Sequence, residues 1–505
     1  MPALPPHIRA CFDPVTYPHP VHHIRLIETH ISWLFLTGSF VYKFKKPVDF
    51  GFLDFTTLDK RQRDCQRELQ LNRRLAAPLY HAVVPLTCAS NRSGEHVQLG
   101  GDGEVVDYAL KMTQFEQHDL LSRRLQQGGF DPAWMDQLAT TIARFHRDSA
   151  PHPERDAATL LAAHLQENLR IGRQYAAQHQ AHTSLTTLDH FLATALPALM
   201  PQLHQRQAQI RDCHGDLHLN NIALYQGEPI AFDCIEFNDD YRIIDCMNDV
   251  AFLVMDCDAR GHHGLGMRFL ARYLEQSSDY AGLSLLPLYL IYRATVRAKV
   301  ACLLATEATE SHEAAWQEAA DYFDLAASYC APRRPHLFAV GGLSGSGKSH
   351  LANLGMAQCG ALSIRTDAVR RRIAPQHRHL PRYSDAMHRL TYQQLFADAE
   401  AALEAGFSVI LDATFLHPKS RRSVQQLAQR CAVPLHFFWL NIPPEQLREN
   451  IRQRQHDISE ADLDVLEQQL RDYHSPQEPF IHHLSSANHW PASSYTAGTK
   501  KGLPL

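Results

Sequence analysis

Basic residues do not outnumber acidic ones: 49 Lys plus Arg stand against 54 Asp plus Glu, a net charge of −5. A global positive field of the kind that non-specific nucleic-acid binders carry is excluded, and any anion site is local. No C-x-x-C occurs among the eleven cysteines, whose scatter from Cys11 to Cys431 fits neither a zinc module nor a disulfide framework. The longest nearly apolar stretch, 283–292, stops at Arg293, short of a membrane span. The opening MPALPPHIRA has no apolar core of signal-peptide type. A soluble cytoplasmic protein with reduced thiols and no membrane partner is therefore expected. The 32 histidines include the pairs His22-His23, His262-His263 and His482-His483. These pairs lack the companion ligands of a metal centre and read as solvated. No internal repeat of fixed period is found, and low complexity is confined to a polar tail after Trp490.

What is present is globular: 505 residues, 45% hydrophobic and 20% charged, enough for two or three cores. From about residue 58 to 330 the pattern is mostly helical, with apolar residues three and four apart over 160–180 and 285–306. Pro332-Arg333-Arg334-Pro335 then reads as a rigid connector. Beyond it, apolar runs at 337–340, 361–364, 407–411 and 435–442 alternate with helical text, the signature of a parallel sheet with crossover helices. The expected layout is an N-terminal domain over 1–330, a linker at 331–336, an α/β domain over 337–490 and a tail over 491–505.

Gly342-Leu343-Ser344-Gly345-Ser346-Gly347-Lys348-Ser349 matches G-x-x-x-x-G-K-[ST] and lies between a buried strand run and a helical run. In such a loop the backbone amides of Gly342, Ser344, Gly345, Ser346 and Gly347 turn toward phosphate oxygens. Lys348 reaches the β and γ phosphates, and Ser349 is a Mg²⁺ ligand. ATP and Mg²⁺ are the implied cofactors. Asp412 ends the 407–411 strand, where it can hold the metal or its water shell. Asp367 follows the 361–364 strand and is either a general base for an acceptor hydroxyl or a helix cap. Six arginines from Arg365 to Arg382 against the single acid Asp367 suggest that this segment grips a phosphate-bearing acceptor. Pro443-Pro444 opens a helix carrying Arg448, Arg452 and Arg454, read as a lid over ATP.

In the first half, His214-Gly215-Asp216-Leu217-His218-Leu219-Asn220-Asn221 reads as a catalytic loop. Asp216 is the candidate base, Asn221 a cation ligand, and Asp233 a metal-binding carboxylate at a strand end. Upstream, Val41 to Lys45 alternates as a strand with Lys43 and Lys45 on one face. One of these lysines can reach ATP phosphates, with Glu68 on the following helix as its partner.

The second half resembles the P-loop kinases grouped with polynucleotide 5′-hydroxyl kinases and zeta-toxin-like kinases. It does so in the P-loop, in Thr366-Asp367-Ala368-Val369-Arg370, and in the text from Leu411 to Arg421. The resemblance implies Asp367 as base, Arg370 as an acceptor or transition-state contact, and lid arginines near Arg452 and Arg454. It also implies a hydroxyl acceptor that ranges from small molecules to nucleotides, with nucleic acid only as a 5′-hydroxyl end. The first half resembles the aminoglycoside phosphotransferase-like family, relatives of the protein kinases. The matching text is the H-G-D-x-x-x-x-N loop, Tyr42-Lys43-Phe44-Lys45-Lys46-Pro47, and Glu68 to Arg74. The order of pieces looks like a bacterial fusion of the two types. A two-lobed α+β kinase-like fold followed by an α/β P-loop fold is implied, with Asp249 supporting the catalytic loop. Two departures stand out: no G-x-G-x-x-G occurs near the start, where only Gly38 offers a nucleotide-covering turn, and Glu236 is an extra acid without a role. The expected activity is ATP-dependent phosphotransfer to hydroxyl acceptors by both halves. The rival is an ATP-switched P-loop half joined to a first half that senses a ligand.

Overall fold

The computed structural model describes all residues except 1–3, 52, 89–95, 180–182, 308–311, 382–383, 454–461, 472 and 492–505, so nearly all of the expected polar tail lies outside it. Two compact units emerge, and they cut across the expected linker. The first comprises 1–134, 148–157 and 208–249, and the second 135–147, 158–207 and 250–505.

In the first unit, β1 (Arg25–Glu28), β2 (Ser32–Leu36), β3 (Phe40–Lys45), β4 (Tyr80–Cys88), β5 (Val97–Leu99) and β6 (Glu104–Thr113) form an antiparallel sheet ordered β1-β2-β3-β6-β4-β5. Alternation along β3 sends Tyr42 and Phe44 into a core with Phe35, Trp33 and Leu86. Lys43 and Lys45 are thereby left on the opposite face. The Leu58–Ala76 helix begins at Thr57, whose hydroxyl accepts from Lys60 N. Its buried positions, Arg61, Cys65, Glu68, Asn72 and Ala76, are three or four apart and so share one face. β7 (Ile210–Asp212) pairs with β10 (Ile243–Asp245), and between them β8 (Ile222–Tyr225) and β9 (Glu228–Ala231) form a hairpin. Gln226 and Gly227, both at positive φ, close it as a two-residue loop that suits the strand twist.

The second unit contains β11 (Leu337–Gly342), β12 (Leu362–Arg365), β13 (Val409–Asp412), β14 (Leu435–Leu440) and β15 (Ile481–Leu484), all parallel in the order β12-β13-β11-β14-β15. β11, β12 and β13 are buried along their whole length, as strands covered on both faces must be. The four expected strands occur within a few residues of their predicted places. β15 escapes prediction because it is an edge strand whose central His482 and His483 are exposed. The long helical patterns of the first half appear as Ala157–His179 and Leu286–Glu307, both with most of their length in this unit. Among the described residues no helix is long and apolar enough to cross a membrane.

At the start of β11, His336 Nδ1 lies 3.0 Å from His436 Nε2 on β14, with the rings stacked at 5.2 Å. Burial, with His336 and His482 nearby, pulls His436 down to about 4 from an ordinary 6.5. The unfolded chain therefore binds this proton more readily. The resulting stability is complete above pH 6.5 and is lost as pH falls toward 4. The thermal midpoint of His436→Gln should consequently fall less than that of the parent protein between pH 7 and 5. Parallel curves would contradict the assignment.

Candidate functional sites

The P-loop bridges β11 and the Lys348–Cys359 helix, so its amides point along the helix N-terminus. Gly345 sits at φ 83°, and a Cβ there would lie 2.7 Å from the Leu447 carbonyl oxygen, so only glycine fits. Asn450 donates to the Gly345 carbonyl at 2.8 Å, and Gln469 accepts from Ser344 N at 2.9 Å. Lys348 donates to the Leu343 carbonyl at 2.8 Å, and the Ser349 hydroxyl to Asp412 Oδ2 at 2.6 Å. Burial raises the Asp412 carboxyl, and Lys348 and the Ser349 hydrogen bond pull it partly back. Hydroxyl and carboxylate oxygens placed together at a strand end are a donor set that fits Mg²⁺.

These groups line a cavity of about 450 Å³, which also takes in Asp367, Arg370, His388 and Tyr392. Asp367 is not the helix cap. It lies in the first turn of the Thr366–Ile373 helix after Arg365, where it accepts from Arg370 Nη1 at 2.7 Å. His388 and Tyr392 come from the Asp385–Glu404 helix, and no sequence motif announced them. Burial, then Arg370 and His417, lower the His388 imidazole. Among its described residues, the arginine segment does not converge. Arg365 and Arg370 line the cavity, Arg372 pairs with Asp398, Arg371 and Arg378 are exposed, and Arg382 lies outside the described residues. Of the expected lid arginines, Arg452 is exposed beside Glu449, and Arg454 lies outside the described residues. Asn450 and Gln453 occupy the cavity wall from that helix and its cap.

In the first unit, Lys43 Nζ is 2.8 Å from both Glu68 Oε1 and Asp233 Oδ1. Burial alone would lower this lysine, but Asp233 and Glu68 outweigh it and hold it above its ordinary value. Lys45, fully buried, is enclosed by Asp64 at 2.8 Å, Glu68 Oε2 at 2.5 Å and Glu236. The structure thus separates the two lysines. Lys43 meets a half-exposed Asp233, whereas Lys45 fills the space where Asp64, Glu68 and Glu236 converge. Burial, against the pull of Lys45 and with the push of Glu68, raises Glu236 to about 8. The role that sequence could not give Glu236 is therefore to pack against Lys45.

Asp233 adopts φ 59°, uncommon for a residue with a Cβ. The turn is held by Tyr80, whose hydroxyl accepts from Asp233 N at 3.1 Å, and by Asn72, whose Oδ1 accepts from Cys234 N at 2.9 Å. In the catalytic loop, Asp249 accepts from His214 N at 3.1 Å and Gly215 N at 2.8 Å, the support that the resemblance implied. Burial lowers His214, which is therefore neutral. Its Nδ1 accepts from Asp216 N at 3.2 Å, so Nε2 carries the hydrogen and donates to the Phe232 carbonyl at 3.0 Å. Asn221 Nδ2 donates to Asp216 Oδ2 at 2.8 Å, and His218 Nε2 is 3.3 Å from the same oxygen. The side-chain oxygens of Asp233 and Asn221 are of the hard type that suits Mg²⁺. Gly38, at φ 95°, turns the chain between β2 and β3 and donates to Gln114 Oε1 at 2.9 Å.

Residues 44–286 match the Phosphotransferase enzyme family, and residues 337–476 match a P-loop family described as an AAA domain. An uncharacterized protein of Mycobacterium tuberculosis is 33% identical over 427 residues, covering 81% of this chain and 82% of the relative, and a Mycobacterium bovis protein matches equally. Among solved structures, a choline/ethanolamine kinase family protein from Mesorhizobium loti is 10% identical, with a TM-score of 0.38, over 61% of this chain and 92% of that one. A gluconokinase from Sinorhizobium meliloti is 23% identical, with a TM-score of 0.24, over 30% of this chain and 83% of that one. The chain belongs to the family of these mycobacterial proteins and joins a kinase-like phosphotransferase region to a P-loop kinase-like region in one polypeptide.

Proposed function

We propose that the chain is a bifunctional ATP-dependent phosphotransferase, each half moving the γ-phosphate of ATP to a hydroxyl acceptor. The observation that carries this reading is the single cavity shared by Lys348, Ser349, Asp412, Asp367 and Arg370. There the P-loop amides and Lys348 bind and orient the phosphates. Ser349 and Asp412 hold Mg²⁺, which when bound neutralises charge on the phosphate oxygens. Asp367, oriented by Arg370, takes the proton from the acceptor hydroxyl. Arg370 is freed toward the incoming charge once Asp367 is protonated. In the first half, Lys43 oriented by Glu68 binds phosphate, Asp216 takes the acceptor proton, and Asn221 and Asp233 hold the metal.

The acceptor of the P-loop half is read as a small hydroxylated molecule with one anionic group at most. A multiply phosphorylated or nucleic-acid acceptor needs the arginine cluster to converge. Instead, among the described residues, both cavity arginines already face a carboxylate, Arg365 meeting Glu275 and Arg370 meeting Asp367. The missing glycine-rich loop supports the second reading, a ligand-sensing first half. The test is transfer of label from γ-labelled Mg-ATP to a mixed pool of sugars, nucleosides, oligonucleotide ends and metabolites. A labelled small product supports the proposal, and phosphate release without transfer contradicts it.

A further inference from the structure

We propose that Glu275 is a positioning residue of the P-loop site, placed there from the phosphotransferase-family half of the sequence. The proposal rests on the reading of that site as a Mg-nucleotide site. Glu275 lies on the His263–Ser277 helix, within the span matched to the phosphotransferase family. Yet this helix, within the same compact unit as the P-loop, packs on the Lys348–Cys359 helix so closely that a Cβ on its Gly264 would stand 2.7 Å from Ala357 Cα. Glu275 grips Arg365 with both oxygens, Oε1 from Nε at 2.7 Å and Oε2 from Nη2 at 2.6 Å. It also accepts from Arg272 Nη1 at 2.6 Å. Arg272 in turn reaches Asn353 on the helix that follows the P-loop, at 3.1 Å. Glu275, Arg365 and Arg272 are 7%, 8% and 5% exposed, so each charge depends on these partners rather than on water.

Arg365 matters because of its neighbour. It ends β12 directly beside Asp412 on β13, as its register partner, and both line the cavity. Besides Glu275, the guanidinium there feels Asp412 and Asp136, and Asp136 is already engaged by Arg268 and Arg272. While Glu275 holds the Nε and Nη2 side of that guanidinium, Asp412 is left to the Ser349 hydroxyl and to a cation. Without the charge of Glu275, Arg365 turns to Asp412 and cancels the charge that a cation needs. Glu275 thus keeps the metal carboxylate available from 137 residues upstream, counting from 275 to 412, and makes one family region a working part of the other's site.

The experiment uses the full chain and a fluorescent ATP analogue, following the component of binding that Lys348→Ala removes. Glu275→Gln should raise the Mg²⁺ concentration for half-maximal binding of that component about tenfold, as loss of an outer-sphere partner does. Arg365→Gln alone, and the charge-balanced pair Glu275→Gln with Arg365→Gln, should bind with near-parental Mg²⁺ dependence. A merely structural Glu275 would lower the thermal midpoint and leave the Mg²⁺ dependence unmoved, which overturns the proposal. So does an Arg365→Gln variant as Mg²⁺-demanding as Glu275→Gln, a result that also decides the matter if Glu275→Gln does not fold. If Lys348→Ala removes no binding component, the nucleotide-site reading itself fails and the inference falls with it.

Discussion

Lys348→Ala should reduce phosphoryl transfer by the P-loop half about 10³-fold, the scale on which a preorganised charge aimed at a transition state acts. Lys348 begins the helix after the loop and lines the cavity, its ammonium donating to the Leu343 carbonyl at 2.8 Å while its charge pulls the Asp412 carboxyl partly back. Among the described residues, the two cavity arginines are each held by a carboxylate, Arg365 by Glu275 and Arg370 by Asp367, and cannot replace it without breaking an ion pair. The measurement is label transfer by the full chain carrying Asp216→Asn, so that only the P-loop half acts. Transfer within a few-fold of the parent would show that the loop is not where phosphate is bound.

Asp216→Asn should reduce transfer by the first half by about 10³-fold, within the range expected for loss of a general base. The substitution keeps the size of the side chain. Asn221 and the neutral His214 continue to hold the loop, because Asp249 anchors its backbone from the start of the next helix. Folding is therefore preserved while the proton acceptor is removed. This variant also separates the two readings of that half: a sensing module has no transfer to lose, and its ligand response would survive unchanged.

How much was legible from sequence depends on how local each feature is. The P-loop, the strand-end carboxylates Asp412 and Asp233 and the Asp216–Asn221 spacing are short motifs flanked by strong strand patterns, and the structure brings each group together as expected. The pair Lys43 and Lys45 shows where periodicity stops. Alternation puts both on one face, but only packing reveals that Lys45 is enclosed by three carboxylates while Lys43 meets Asp233. The arginine count from 365 to 382 misleads for a similar reason. Consecutive helix residues point about 100° apart, so Arg370, Arg371 and Arg372 cannot share a target. His388, Tyr392 and Gln469 reach the P-loop cavity from distant helices whose sequence carries no motif. Glu275 is the extreme case, since its function depends on Arg365, 90 residues away and beyond the connector at 331–336.

The central claim is that one chain carries two independent phosphoryl-transfer sites. Its most direct test gives the full chain γ-labelled Mg-ATP and a mixed acceptor pool, then repeats the assay with Asp216→Asn and with Lys348→Ala. Two labelled products, one lost in each variant and the other retained, are the predicted result. A single product abolished by Lys348→Ala and untouched by Asp216→Asn would contradict the account and leave the first half without a transfer reaction.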